Sequence, residues 1–313
     1  DIAINAGTTI TVEIGGAAIS NGGDIVYTAE TDLIVGDVDA SGADSTTAEG
    51  SIVLNAVTGN LTVNDQNADG IALITNGIGE ISIDAGEAIQ VNASVVTETG
   101  NITIAADQSI VQGADVAITT QGGDIAINAG TTITVEIGGA ASSNGGDIVY
   151  TAETDLIAGD MDASGANSAS EGSIVVTSAM GSITLNDTNT DGVALITNGT
   201  GDILIDAGAL IEINADVVAE IGNINVVAIQ SVAQNLDVDV TTAGGDITVV
   251  AGTTITTASG GVTSSAGGNI SYTGESDVIV GDMDASGADG SIVVISAMGS
   301  ITLNDTNTDG VAL

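Results

Sequence analysis

The 313-residue chain contains no Lys, Arg, His, Cys, Pro, Trp or Phe. Its 42 Asp and Glu therefore have no basic side chain to pair with, and the formal charge is −42. Without Lys or Arg to displace phosphate counterions, nucleic-acid binding is excluded. Anionic membranes and anionic polysaccharides are repelled for the same reason. Catalysis loses its commonest general base, its thiol nucleophile, its Schiff-base amine and its guanidinium clamp. A metal site is limited to oxygen ligands, which selects Ca²⁺ or Mg²⁺ and excludes zinc, copper and iron–sulfur centres. No apolar run approaches the 18 residues of a membrane helix. The chain opens Asp1-Ile2-Ala3, with neither an initiator Met nor the basic start of a signal peptide. The expectation is a processed product or a piece of something longer.

High charge suggests disorder, yet 43% of residues are hydrophobic and the mean hydropathy is +0.42. That is enough apolar material for a core, and the abundance of Ile and Val favours strands.

Two nested repeats organise the chain. Asp1 to Ile34 recurs as Asp124 to Ile157, with Ile19 replaced by Ser142. The offset of 123 falls to 122 where Asp44–Gly50 shortens to Asn167–Gly172, and a third copy runs from Asp246 to Leu313. The long repeats are thus 1–123, 124–245 and a partial 246–313. Within them Gly stands at 23, 50, 79, 100, 123, 146, 172, 201, 222, 245, 268 and 290, each followed by Asp, Asn, Ser or Glu and then Ile. The residue two beyond that Ile is apolar or Tyr. The units are 21 to 29 residues long, five to a long repeat. Alternating apolar positions lie on one face of a strand. A second alternating run follows (Leu33-Ile34-Val35, Leu61-Thr62-Val63) and in some units a third (Ile71-Ala72-Leu73-Ile74).

Two or three short strands per unit describe one coil of a parallel β-helix, or β-solenoid. The fold class is all-β, with about 13 coils stacked at ~4.8 Å into one continuous rod of roughly 60 Å. Separate β-sandwich domains would not restart one Gly-x-Ile register in every coil. The recurring Gly belongs where a corner demands positive φ or close backbone approach. Tyr27, Tyr150 and Tyr272 fall at one internal position, which assigns them to packing. The first residue opens a coil and the last falls inside one. Both ends are expected to continue into further repeats or to pair with another molecule.

The longest coils carry two acidic motifs. D-x-D-x-S-G comprises Asp37, Asp39 and Ser41, then Asp160, Asp162 and Ser164, then Asp282, Asp284 and Ser286. D-x-N-x-D-G comprises Asp65, Asn67 and Asp69, then Asp187, Asn189 and Asp191, then Asp305, Asn307 and Asp309. The second resembles the start of an EF-hand or dockerin calcium loop, where alternate oxygens face the ion and Gly permits the turn. The distal Glu is missing: position 12 is Asn76 from Asp65 and Ala48 from Asp37. Both motifs follow a second strand at equal distance. In-register stacking would put Asp37 over Asp65, Asp39 over Asn67 and Ser41 over Asp69. Carboxylates at strand spacing repel unless an ion or proton intervenes, so these residues are candidate Ca²⁺ ligands between coils. The alternative is a set of solvated Asp/Asn/Gly turns.

The coil Gly123-Asp124-Ile125-Ala126-Ile127-Asn128-Ala129-Gly130-Thr131-Thr132-Ile133 resembles repeats of filamentous-haemagglutinin-type exoproteins, and is similar to those of large bacterial surface adhesins. The resemblance covers nearly the whole chain. It implies a secreted, right-handed β-helical stalk or fibre, and carries no receptor site onto any residue. The absence of Lys and Arg departs from that family. The expected function is structural: an extracellular or cell-surface fibre, surface layer or adhesin stalk, self-associating end to end or side by side and stabilised by calcium. A calcium-dependent adhesin module is the alternative. A polysaccharide-active β-helix is weaker still, because its Asp clusters would not repeat with the scaffold. No enzymatic activity is expected.

Overall fold

The computed structural model describes residues 1–13, 15–43, 50–166, 171–287 and 290–305. Among them every regular element is a strand, and no helix is long and apolar enough to cross a membrane. The strands form three parallel sheets of 13, 13 and 12 strands: each of the first twelve coils supplies one strand to each sheet, and the described residues of the last coil supply strands to the first two. In the second coil these are Ile25–Ala29, Leu33–Val35 and Asp37–Asp39. Every strand pairs with its counterparts in the coils before and after, so the protein is a parallel β-solenoid. The ladders run without a break through residues 123/124 and 245/246, where the long repeats meet.

The first sheet keeps one-to-one register throughout. Ile52 pairs with Ile81, Ile81 with Ile102, Ile102 with Ile125 and Ile125 with Ile148. These isoleucines are almost wholly shielded from solvent. Full burial of such a side chain contributes about 1.5–3 kcal/mol, and here it recurs at every coil. Two residues on, the inward column reads Tyr27, Leu54, Ile83, Ile104, Ile127, Tyr150. Two further on it narrows to Ala29, Ala56, Ala85, Ala106, Ala129 and Ala152, where the chain turns toward the second sheet.

The tyrosines pack inside, as expected. Tyr150 Oη donates to Gln112 Oε1 at 3.1 Å, and Gln112 Nε2 donates to the carbonyls of Val116 and Ala140 at 2.8 and 2.9 Å. The buried amide thus satisfies the phenol and two corner carbonyls together. Tyr272 Oη lies 2.7 Å from Thr263 Oγ1, and burial pushes its phenol up to about 12.

The recurring glycine serves close approach, not positive φ. None of its described copies has a left-handed backbone. A Cβ on Gly100 would stand 1.9 Å from the Gly79 oxygen, one on Gly123 2.2 Å from that of Gly100, and one on Gly146 2.0 Å from that of Gly123. The glycines therefore form their own column. Beside it runs a column of buried hydroxyls: Thr75, Thr97 and Thr197 donate to the carbonyls of Gly79, Gly100 and Gly201 at 2.7, 2.6 and 2.8 Å. Carbonyls that would be orphaned at the corner are thereby satisfied.

The residue after each glycine has a specific task as well. The oxygens of Asp24, Asn101, Asp124, Asp147 and Asn223 accept the backbone N–H of the equivalent residue in the next coil, at 2.8–3.0 Å. Asp, Asn and Ser all supply such an oxygen, which explains why the motif tolerates these types and excludes apolar ones.

Candidate metal centre

The two acidic motifs occupy different structural settings. Asp37–Asp39 is a strand of the third sheet, and buried Val38 points into the core. Asp160–Asp162 and Asp282–Asp284 repeat this with Met161 and Met283. Asp65–Gly70 instead loops out ahead of the third-sheet strand Ile71–Ile74. The register is correspondingly different from the one expected. Val38 pairs with Leu73, and Asp39 lies opposite Ile74 instead of Asn67. The six-residue excursion shifts the second motif out of line, because the ladder follows the apolar run and not the acids.

The structure nonetheless brings much of the candidate set together. Asp37, Asp39, Asn67 and Asp69 line one hollow of about 250 Å³, floored by Ala17, Ala18, Ile71 and Ala72. One long repeat later, Asp160, Asp162, Asn189 and Asp191 line an equivalent hollow of about 230 Å³. The carboxylate oxygens of Asp160, Asp187 and Asp191 lie within 4.8 Å of one another. Ser41 and Ser164 fall outside these hollows; their N–H groups donate to Asp39 and Asp162 Oδ1 at 2.8 Å. In the third repeat Asp282 is buried, and the Ser286 N–H donates to Asp284 Oδ1 at 2.8 Å. Asp305 is exposed, while Asn307 and Asp309 lie outside the described residues.

Hydrogen bonds hold each loop open around its carboxylates. Asp65 Oδ1 accepts the N–H of Asn67 and Ala68 at 3.0 and 2.6 Å, and Oδ2 that of Gly70 at 2.7 Å. The Gly70 N–H foremost, with the other loop N–H groups, holds the Asp65 carboxyl below its usual range. Asn67 accepts the Asp69 N–H and donates to Asp69 Oδ2, at 2.8 and 3.0 Å. Gly70 and Gly192 take positive φ, as do Ala68 and Thr190 at 65° and 73°.

Asp160 is the buried member of its cluster. Burial pushes its carboxyl up, and the charges of Asp187 and Asp191 add to this. The Thr188 backbone N–H and hydroxyl oppose the shift, donating to Oδ1 and Oδ2 at 3.2 and 2.8 Å. The same hydroxyl lies 2.8 Å from the Gly139 carbonyl. The donor set is hard oxygen with mutually repelling charges, which fits a calcium ion. Asp160, Asp187 and Asp191 would hold it, and it would supply the positive charge this chain lacks.

Two supporting residues escaped the sequence reading. Thr188 sits at a variable position of its motif, where the first repeat has Gln66. Asn76, weighed only for failing to be the distal Glu, forms a two-way clamp: Gly42 N–H donates to its Oδ1 at 2.8 Å, and its Nδ2 to the Gly42 carbonyl at 3.0 Å. Asn198 does the same for Gly165. The recurrence of Asn-Gly at 76–77 and 198–199 was the available signal.

The fold defines the class: a β-solenoid repeat protein. Comparison with family models, with curated proteins and with solved structures finds no match to this chain.

Proposed function

We propose that the chain is the load-bearing shaft of an extracellular fibre, surface layer or adhesin stalk, of the filamentous-haemagglutinin type its repeats resemble. One observation carries this reading: the first sheet holds five-for-five pairing through every coil, from Ile2–Ala6 to Ile292–Ser296. A rod cross-linked at every coil resists extension, because pulling along its axis loads all three ladders together. Its acidic exterior keeps it hydrated, and trypsin finds no Lys or Arg to cleave after. Calcium at Asp160, Asp187 and Asp191 would relieve the like-charge repulsion of that cluster, and the hollow lined by Asp37 and Asp69 is its counterpart one long repeat earlier. The shaft associates with further copies of itself, end to end or side by side.

Electron microscopy of the purified protein tests the scaffold role. Filaments or bundles are expected; dispersed rods of roughly 60 Å with no contacts at high concentration would refute it. Melting with calcium and with chelator tests the ion separately. Saturation a hundredfold above Kd contributes about 2.7 kcal/mol, so an unchanged melting temperature removes calcium and leaves the scaffold. A second reading, a calcium-dependent adhesive module, draws on the matching hollows of the first two long repeats. Binding of a partner that survives saturating calcium but is lost with chelator would favour it.

A further inference from the structure

The acids are spread unevenly over the three faces. In the first sheet the first, third and fifth residues of each interior strand are buried, and the second and fourth face outward. Along both outward columns, from end to end, only Asp84 and Asp206 carry charge. The third sheet, by contrast, sets Asp37, Asp39, Asp162 and Asp284 toward its surface, with Asp160 and Asp282 buried beside them.

What fills the rest of the first sheet's outer face is aliphatic or hydroxylated, with four amides at Asn5, Asn55, Asn128 and Asn225. Val149, Val175 and Leu204 stand in register on three successive coils, and Val227 and Val250 continue on the next two in the adjoining column. Val26 and Val53 pair the same way in the first long repeat. The second sheet is as poor in charge, with Glu212 alone on its outward column, but that face is a single column on strands of two or three residues, so the first sheet offers the broader surface with few charges.

We propose that this outer face of the first sheet is the lateral contact between copies of the chain. The inference rests on the side-by-side self-association proposed above and names the surface that makes it. Charge selects the occupant. A basic partner would be drawn to the carboxylates of the third sheet and its loops. A face stripped of charge fits a surface equally stripped, and a second copy presents one of the same length, strand spacing and twist. The same patch can meet itself across a two-fold axis. Thirteen five-residue strands make a face of roughly 60 by 16 Å. That is about 1,000 Å² on each partner, above the ~800 Å² per partner of a standard stable interface.

The pairing has an unusual salt dependence. Two polyanions repel at long range, and salt screens that repulsion while leaving apolar contact intact. Lateral association therefore strengthens as ionic strength rises, whereas a contact made of ion pairs would weaken.

The test compares wild type with Val175→Glu and, as control, Thr184→Glu, which places the same charge on the outward column of the second sheet. Sedimentation velocity and small-angle scattering report the cross-section of the rods from low to high salt. Wild type and T184E should pair side by side, increasingly with salt. V175E should pair roughly 100-fold more weakly, because a carboxylate would be buried without a partner. Far-UV circular dichroism and melting of the two variants establish that both fold. Should V175E fold poorly, single cysteines decide, since the chain has no other thiol. A short thiol-to-thiol cross-linker should join V175C chains into dimers and leave T184C chains single. Pairing lost in T184E but kept in V175E, or cross-linking confined to T184C, would overturn the assignment. Filaments that grow only end to end would also overturn it while sparing the fibre reading; single rods under all conditions would end both.

Discussion

The backbone N–H of Asp147 donates to Asp124 Oδ1 at 2.9 Å, so a side chain of one coil supports the backbone of the next. It also stacks one carboxylate on another. The oxygen is useful and the charge is not. Asp124→Asn should therefore stabilise the protein at low salt, by up to about 1 kcal/mol, as the like-charge contact disappears. Asp124→Ala removes the acceptor as well and should be about 1 kcal/mol less stable than the Asn variant. Thermal melting of the pair reads the difference directly; equal stabilities would show that the hydrogen bond contributes nothing.

Gly146 tests the glycine column. An alanine methyl there meets the Gly123 carbonyl at 2.0 Å, and nothing flexible can yield. Gly146→Ala should destabilise by about 3 kcal/mol or more. Gly267 stands beside the column, and an added Cβ there would come no nearer than 3.6 Å to its neighbours, so Gly267→Ala should change stability by less than about 0.5 kcal/mol. Denaturant unfolding of the two variants settles whether contact across coils, and not chain flexibility, fixes this residue.

Much of this architecture was legible because a solenoid writes its core as a period. Ile52, Ile81 and Ile102 recur behind a glycine and stack as that recurrence implies. The acidic register was less legible. Asp37 and Asp65 each follow a Val-x pair after the second strand, so equal spacing suggested equal position. The chain resolves the ambiguity through apolar burial: Val38 must align with Leu73, and six residues bulge out to allow it. Asp37-Val38-Asp39 already alternates like a strand, and weighing that pattern above the spacing would have given the register. Gln112 was hidden for another reason. It is a buried amide whose partners, Tyr150 and Ala140, belong to later coils.

Thr190 stores local strain. Its φ of 73° is left-handed, a region that β-branched residues avoid. Thr190→Gly should stabilise the protein by about 1 kcal/mol, while its N–H can still donate to Asp187 Oδ1. Asn should do nearly as well. A rise in melting temperature for both variants is the expected result; a fall would mean that the Thr190 side chain has a role beyond holding the turn.

Asp216 makes stability depend on pH in the unusual direction. Burial pushes its carboxyl above the ordinary range; the Asp239 N–H, donating to Oδ1 at 2.7 Å, opposes this, and the Asp239 charge adds to it. A carboxyl raised in the folded state binds more protons folded than unfolded. Its contribution is fully present below the unfolded value of about 3.9 and is lost as pH rises through the folded value. Asp160, raised by burial and by Asp187 and Asp191, acts with the same sign. Asp65, lowered by its loop N–H groups, acts with the opposite sign, but it sits in a solvent-facing loop and its share is small. Mild acidification from neutral pH toward about pH 4, with chelator present, should therefore raise the melting temperature of the wild type. Asp216→Asn keeps an acceptor oxygen for the Asp239 N–H and loses the titration, so it should melt higher at neutral pH and show a shallower rise on acidification. Parallel curves for the two proteins would show that Asp216 does not titrate between these limits, and that the slope comes from the remaining carboxylates.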